Sequence, residues 1–395
     1  MAAPIRRTGA IVWLATLLAL TACWSSGNDN LRIIVSNGTV YEVPARDAPP
    51  VKPIPQRAGR GTMVLEGGGL AVDAASELTV ALAGEKPTLC LIDTAQEGKG
   101  DPYHKFDKIG GFKMLTLNIT ARTANQGNVL EALRSCTGYY IDGGNPELLS
   151  TNLLRGTTDT SALQIIRQRF EEKGAVVAGA SAGAMIVGPV TLCECGSSSS
   201  VHALTDGRLY EAPGFRFVDG LLVDAHFFAR GLIGRHLYAL ADTRLQVGVG
   251  IDESTAVIVP GDGGPWQVIG DGSVALIQRG PNATVDHLVG FTISLLNAGD
   301  RFDPHTGKIT VASTRKPIAI GNDPAAVPLQ MTEIFGPDQL RQMILALAPA
   351  PSAVAQGISQ NDGLMIELRK RSDTAAYADA NSLSVLNLEV SAGNL

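Results

Sequence analysis

From Gly61 onward the apolar and polar positions repeat one rhythm: a short apolar run, a glycine turn, then a stretch with helical spacing. GTMVLEGGGL (Gly61 to Leu70) reads as a buried strand closing in three glycines, and Val72 to Ala83 follows as a helix. Pro87 to Asp93 (PTLCLID) and Lys113 to Leu117 (KMLTL) are further strands, Asn128 to Ser135 is a helix, and Gly138 to Ile141 (GYYI) runs into Asp142-Gly143-Gly144-Asn145. Leu148 to Leu154 and Ser161 to Lys173 have helical patterns, the second with Ile165, Ile166 and Phe170 on one stripe and a stop at Gly174. Ala175 to Ala178 is then wholly apolar and leads into a helix of small residues. Alternation of this kind predicts an α/β fold, with a mostly parallel sheet, helices on both faces and chemistry at the carboxyl ends of the strands.

Beyond Leu240 the runs shorten. Gly248 to Ile251, Ala256 to Pro260, Trp266 to Ile269 and Val274 to Gln278 are broken by glycine-rich turns and read as antiparallel strands appended to that sheet. Residues 331–395 hold a helix (Pro337 to Ala348), a Pro/Ala/Ser loop and weak strands, and form a C-terminal extension whose role the sequence leaves open.

The N-terminus follows a different logic. Arg6 and Arg7 precede an apolar run from Ile11 to Leu20, and Leu20-Thr21-Ala22-Cys23 puts small residues before a cysteine. Residues 1–22 read as an export signal too short for a permanent membrane span. Their end resembles the lipobox of bacterial lipoproteins, which implies lipidation at Cys23 and a membrane anchor facing the periplasm or the cell surface. Residues 23–60 include Pro44, Pro49, Pro50, Pro53 and Pro55 and read as an extended tether, so that the globular catalytic domain is expected over 61–330.

Composition narrows the function classes. A net charge of −6 with no long Lys/Arg cluster gives no electrostatic footprint for nucleic acid. Cys90, Cys136, Cys193 and Cys195 can pair in an oxidising compartment, in combinations the sequence does not fix. Cys193-Glu194-Cys195 lacks the partners of a zinc site, so neither metal nor cofactor is expected.

The candidate chemistry centres on Gly179-Ala180-Ser181-Ala182-Gly183, a Gly-x-Ser-x-Gly motif between a strand and a helix. On such a turn the serine hydroxyl clears the sheet and faces backbone amides suited to a developing oxyanion. A serine needs a base, and of the six histidines His226 sits best, at the end of Gly220-Leu-Leu-Val-Asp-Ala-His and just before a helix. The acid that orients it is expected in Gly248-Val-Gly-Ile-Asp-Glu-Ser-Thr-Ala256, where Asp252 and Glu253 follow a strand; the same two acids also suit a solvated turn or a cap.

Taken in order, GGG (67–69), GGN (143–145), GASAGA (179–184), DAHFFARGLIGR (224–235), GIDESTA (250–256) and GDRFD (299–303) resemble the cyanophycinases and related serine exopeptidases. The resemblance implies a flavodoxin-like sheet of the class I glutamine amidotransferase type, and Ser181, His226 and Glu253 as nucleophile, base and orienting acid. It also implies oxyanion amides at Gly144 and Ala182, substrate contacts at Asn145, Asp224, Arg230 and Arg235, and a homodimer. Cyanophycinases act on a poly-aspartate backbone carrying arginines through β-linkages. Three departures touch the pocket: Pro146 and Ala225 stand where the family has glutamines, and Leu232 where it has an arginine. The expected substrate is therefore that polymer or a related aspartyl peptide. The rivals are an aspartyl or isoaspartyl dipeptidase with a different pocket and a non-catalytic surface-binding lipoprotein. An amidotransferase would carry cysteine at the elbow, where this chain has serine.

Overall fold

The computed structural model describes residues 32–33, 40–43, 47–100, 102–193, 196 and 198–395. The signal segment and Cys23 lie outside the described residues, as does Cys195. The first sheet is built from β1 (Val40–Val43), β2 (Met63–Glu66), β3 (Thr88–Ile92), β4 (Lys113–Leu117), β5 (Gly138–Ile141) and β6 (Val176–Ala180). β9 (Thr255–Val259) and β10 (Trp266–Gly270) extend it. In space these strands run β1-β4-β3-β5-β6-β2-β9-β10. From β4 to β2 every pairing is parallel, and β1, β9 and β10 join antiparallel.

Period-two alternation decides which face each strand residue serves. Met63 and Leu65 of β2 fall in a core with Ile92, Ile141 and Val177, covered by α2 (Gly127–Ser135) and α4 (Ser161–Lys173). Val64, with Leu89, Leu91, Tyr140 and Ala178, faces the opposite core under α1 (Asp73–Leu82). α3 (Pro146–Leu153) begins with Pro146 in the first turn, where a missing amide proton costs nothing, and Asn145 Oδ1 caps it by accepting from Glu147 N at 2.9 Å. A disulfide joins Cys90 of β3 to Cys136 after α2.

A second sheet carries β7 (Leu221–Ala225), β8 (Val247–Ile251), β11 (Ser273–Arg279), β12 (Phe291–Asn297), β13 (Val354–Ser359), β14 (Leu364–Arg369) and β15 (Leu383–Asn394). Their spatial order is β7-β8-β11-β12-β15-β14-β13, with β7 at the edge. β8 pairs in parallel with β7 and antiparallel with β11, so the expectation that Gly248 to Ile251 and Val274 to Gln278 are appended to the first sheet is corrected: tertiary pairing places both in this separate sheet. Val249, Val274, Leu276 and Leu296 of this sheet pack toward Val257 and Val268 of the first. Its other face buries α6 (Ile233–Thr243) and α7 (Gln339–Leu347) with Phe227, Phe228, Ile293 and Leu388.

Two boundaries move accordingly. Residues 331–395 do not hang beyond the catalytic unit, because β15 lies inside the sheet whose edge is β7. Nor is all of the proline-rich stretch a free tether. Pro49 O accepts from Gly110 N at 3.0 Å, Ile54 N donates to Ala81 O at 2.8 Å, and Gln56 Nε2 donates to Thr137 O at 2.7 Å, so the segment after residue 47 is docked through its own backbone and side chains. Among the described residues no helix is long and apolar enough to cross a membrane.

Candidate active site

Ser181 follows β6 directly and starts the single-turn helix α5 (Ala182–Met185) at φ 53° and ψ −119°, a conformation that L-residues adopt only under constraint. The constraint is visible in the backbone. Ser181 N donates to Glu66 O at 2.9 Å, and Ser181 O accepts from Ala184 N and Met185 N at 3.0 and 2.9 Å. His226 directly follows β7 with φ 55°, its amide donating to Gly67 O at 2.9 Å. Glu253 lies in the corner between β8 and β9, where the chain leaves the second sheet for the first.

These three side chains, brought from two sheets, form one line. His226 Nδ1 lies 2.7 Å from Glu253 Oε1, and His226 Nε2 lies 2.9 Å from Ser181 Oγ. With the Nδ1 proton donated to the carboxylate, Nε2 is left to accept from the serine hydroxyl. Burial lowers the imidazole pKa and the nearby Arg230 guanidinium lowers it further, while Glu253 opposes both. The arrangement can therefore draw a proton from Ser181 near neutral pH and pass it to a leaving group.

The three-glycine turn is a participant that the sequence pattern showed only as a turn. A side chain on Gly68 would stand in the His226 ring, and one on Gly69 would come within 2.7 Å of Glu253 Cβ, so the bare backbone is what lets the imidazole and carboxylate settle against β2. Gly143 lies against Ser181 from the β5 side. The amides of Gly144 and Ala182 make no hydrogen bond among the described residues, and Gly144 is exposed beside Asn145. Asp252, the alternative orienting acid, turns elsewhere: its Oδ1 accepts from Phe228 N and Ala229 N at 3.1 and 2.9 Å and so shapes the turn after His226.

Two of the expected substrate contacts are corrected. Asp224 and Arg235 are 0% and 1% exposed and grip one another in a fork, with Arg235 Nε donating to Asp224 Oδ2 at 3.0 Å and Nη2 donating to Oδ1. Burial raises the Asp224 carboxyl, but Arg235 and His236 outweigh it and hold the group below its ordinary value. Each charge is thus spent on the other inside the protein, and neither meets solvent. Arg230 differs: it is half-buried, follows His226 by one turn through a 2.9 Å bond from its amide to His226 O, and acts electrostatically on the imidazole. Among the described residues no group of three or more His, Cys, Asp or Glu is arranged to hold a metal.

The family model for peptidase family S51 matches residues 63–264 of the chain. A cyanophycinase of Nostoc sp. is 33% identical over 176 residues, covering 44% of this chain and 56% of that protein. A cyanophycinase of Synechococcus elongatus is 32% identical over 184 residues, covering 46% and 55%. The chain thus spans just over half the length of these curated relatives. The crystal structure of a peptidase from an acI-B1 Actinobacterium superposes with a TM-score of 0.49 at 22% identity, over 63% of this chain and 98% of that one.

Proposed function

The chain belongs to peptidase family S51 and is a serine-type hydrolase, and from that premise we propose that Ser181, His226 and Glu253 are its nucleophile, base and orienting acid. His226 takes the Ser181 proton as Oγ attacks an amide carbonyl, and the amides of Ala182 and Gly144 receive the oxyanion. The imidazolium then protonates the departing amine, and water hydrolyses the acyl-enzyme by the same route. The single observation that carries this reading is the unbroken hydrogen-bond line from Ser181 Oγ through His226 to Glu253, at 2.9 and 2.7 Å.

The substrate in this reading is an aspartyl peptide, either the β-aspartyl-arginine polymer or a smaller relative. Arg230, beside the base, suits the carboxylate of an aspartyl unit next to the scissile bond. The mutual pairing of Asp224 and Arg235 favours the smaller substrate, because it withdraws two charges that a highly charged polymer would engage. A lipid on Cys23 would hold this activity at a bacterial membrane; loss of palmitate labelling in Cys23→Ala tests that part separately.

Incubation with cyanophycin and, in parallel, with β-aspartyl and α-aspartyl dipeptides, read by mass spectrometry, tests the substrate. Release of β-aspartyl-arginine supports the polymer, and cleavage of dipeptides alone supports the second reading. Fluorophosphonate labelling without cleavage of either rejects the substrate class. Labelling that persists in Ser181→Ala rejects the nucleophile.

A further inference from the structure

The segment around α7 lies beyond the residues that the family model matches, yet it packs on the turn that carries the base. The Phe335 carbonyl oxygen fills the space that a side chain on Gly231 would need, at a position where Gly231 has φ 61°. Asp338 N donates to Phe228 O at 2.8 Å. Asp338 itself holds φ 64°, a left-handed value that persists in a non-glycine residue when its surroundings impose it. Its carboxylate accepts from Arg341 Nε and Nη2 at 2.6 and 2.9 Å. In the same turn, Asp252 Oδ1 accepts from Phe228 N and Ala229 N. The charges of Arg341 and Asp338 both act on that Asp252 carboxyl, and the residue after Asp252 is Glu253. The turn from Phe227 to Gly231 is therefore held both by the corner that carries Glu253 and by the C-terminal region.

We infer that Asp338 and Arg341 are positioning residues of the hydrolytic site, which through Phe228 and Asp252 keep His226 in line with Ser181 and keep Arg230 beside it. They touch no reacting atom. The inference rests on the reading of His226 as base. A partly exposed ion pair of this kind contributes little to global stability, so its positioning role separates from folding in a variant that melts normally. The charged and titratable groups around His226 that bear on the readout are Glu253, Arg230, Asp224 and Asp252.

The test uses the full chain with Arg341→Met, Asp338→Asn and, as the conservative variant, Arg341→Lys. The rate of fluorophosphonate labelling is measured together with the melting temperature and the titration of the His226 ring by NMR. Labelling is expected to slow about tenfold in Arg341→Met and Asp338→Asn, the scale of a small misplacement of reacting groups, with melting unchanged. Arg341→Lys should recover most of the rate, and the His226 titration in the slowed variants should move up toward that of free imidazole as water enters. Labelling within about twofold of the parent overturns the inference. So does slowing matched by an equal loss of folded protein. If the parent chain takes up no probe, it is the nucleophile reading that has failed; the His226 titration then decides alone, and an unmoved titration overturns the inference.

Discussion

Ser181 N and Glu66 O are joined by a 2.9 Å hydrogen bond that runs from the elbow to the end of the neighbouring parallel strand, one residue before the three glycines. The strained turn and the glycine cradle are therefore anchored to each other, and the placement of Ser181, His226 and Glu253 depends on this local backbone junction. Strain at Ser181 is tolerated because β2 and α5 both hold it.

Removing the side chain should expose that strain. Ser181→Gly is expected to abolish labelling and hydrolysis while raising stability by about 1 kcal/mol, as a glycine accepts this backbone conformation. Ser181→Ala should lose activity by at least about a thousandfold without the gain. Calorimetry beside probe labelling checks both; equal melting temperatures for the glycine and alanine variants would remove the strain argument.

The cradle makes a second prediction. Gly69→Ala places a methyl group against Glu253 at a position with φ 72°. The rate should fall about a hundredfold, resembling Glu253→Gln more than a surface substitution, while Gly363→Ala, with open space at its Cβ and a similar φ of 65°, should leave the rate unchanged. Steady-state kinetics of the three variants decides it.

The pH dependence follows from the direction of the His226 shift. In the proposed mechanism His226 works as a base when neutral, and burial together with Arg230 keeps the ring neutral to lower pH than free imidazole. The acid limb of kcat/KM should therefore lie below about pH 6.5. Stability moves the same way: the unfolded chain binds the proton at a higher pH than the folded one, so stability declines as pH falls from about 6.5 through the folded value. A limb above that value would contradict the assignment of His226 as base.

How legible was this in the sequence? The strands and helices of the first sheet follow glycine punctuation and apolar spacing, which the chain displays openly. Ser181, His226 and Glu253 each stand at a strand end, and the structure brings all three together. The second sheet was hidden, because Val247–Ile251 and Thr255–Val259 look alike as apolar runs and only the corner at Asp252 to Ser254 sends them to different sheets. Pairing decides such matters, as where Gly250 packs against the Phe227 ring. Asp224 and Arg235 differ from expectation for another reason: their pocket role is what the family resemblance implies, and nothing in their spacing reveals that they face each other in the interior. Prolines in the docked segment suggest an extended tether, and nothing in that composition distinguishes a tether from a segment lying against a domain.

The buried fork yields a fourth prediction. Arg235→Met leaves the buried Asp224 charge with only the His236 ring, at 3.6 Å, beside it and should cost about 3–5 kcal/mol, whereas replacing both Asp224 and Arg235 with apolar residues should recover most of it. KM of whatever folds should stay at the parent value. A raised KM in a variant with unchanged unfolding free energy would return these two residues to the pocket.

Because Leu383–Asn394 is an interior strand of the sheet whose edge presents His226, a growing polypeptide carries its serine long before the imidazole has a finished scaffold. A chain stopped short of Leu383 is expected to take up no fluorophosphonate, and labelling of such a fragment would show that the base is seated without its last strand.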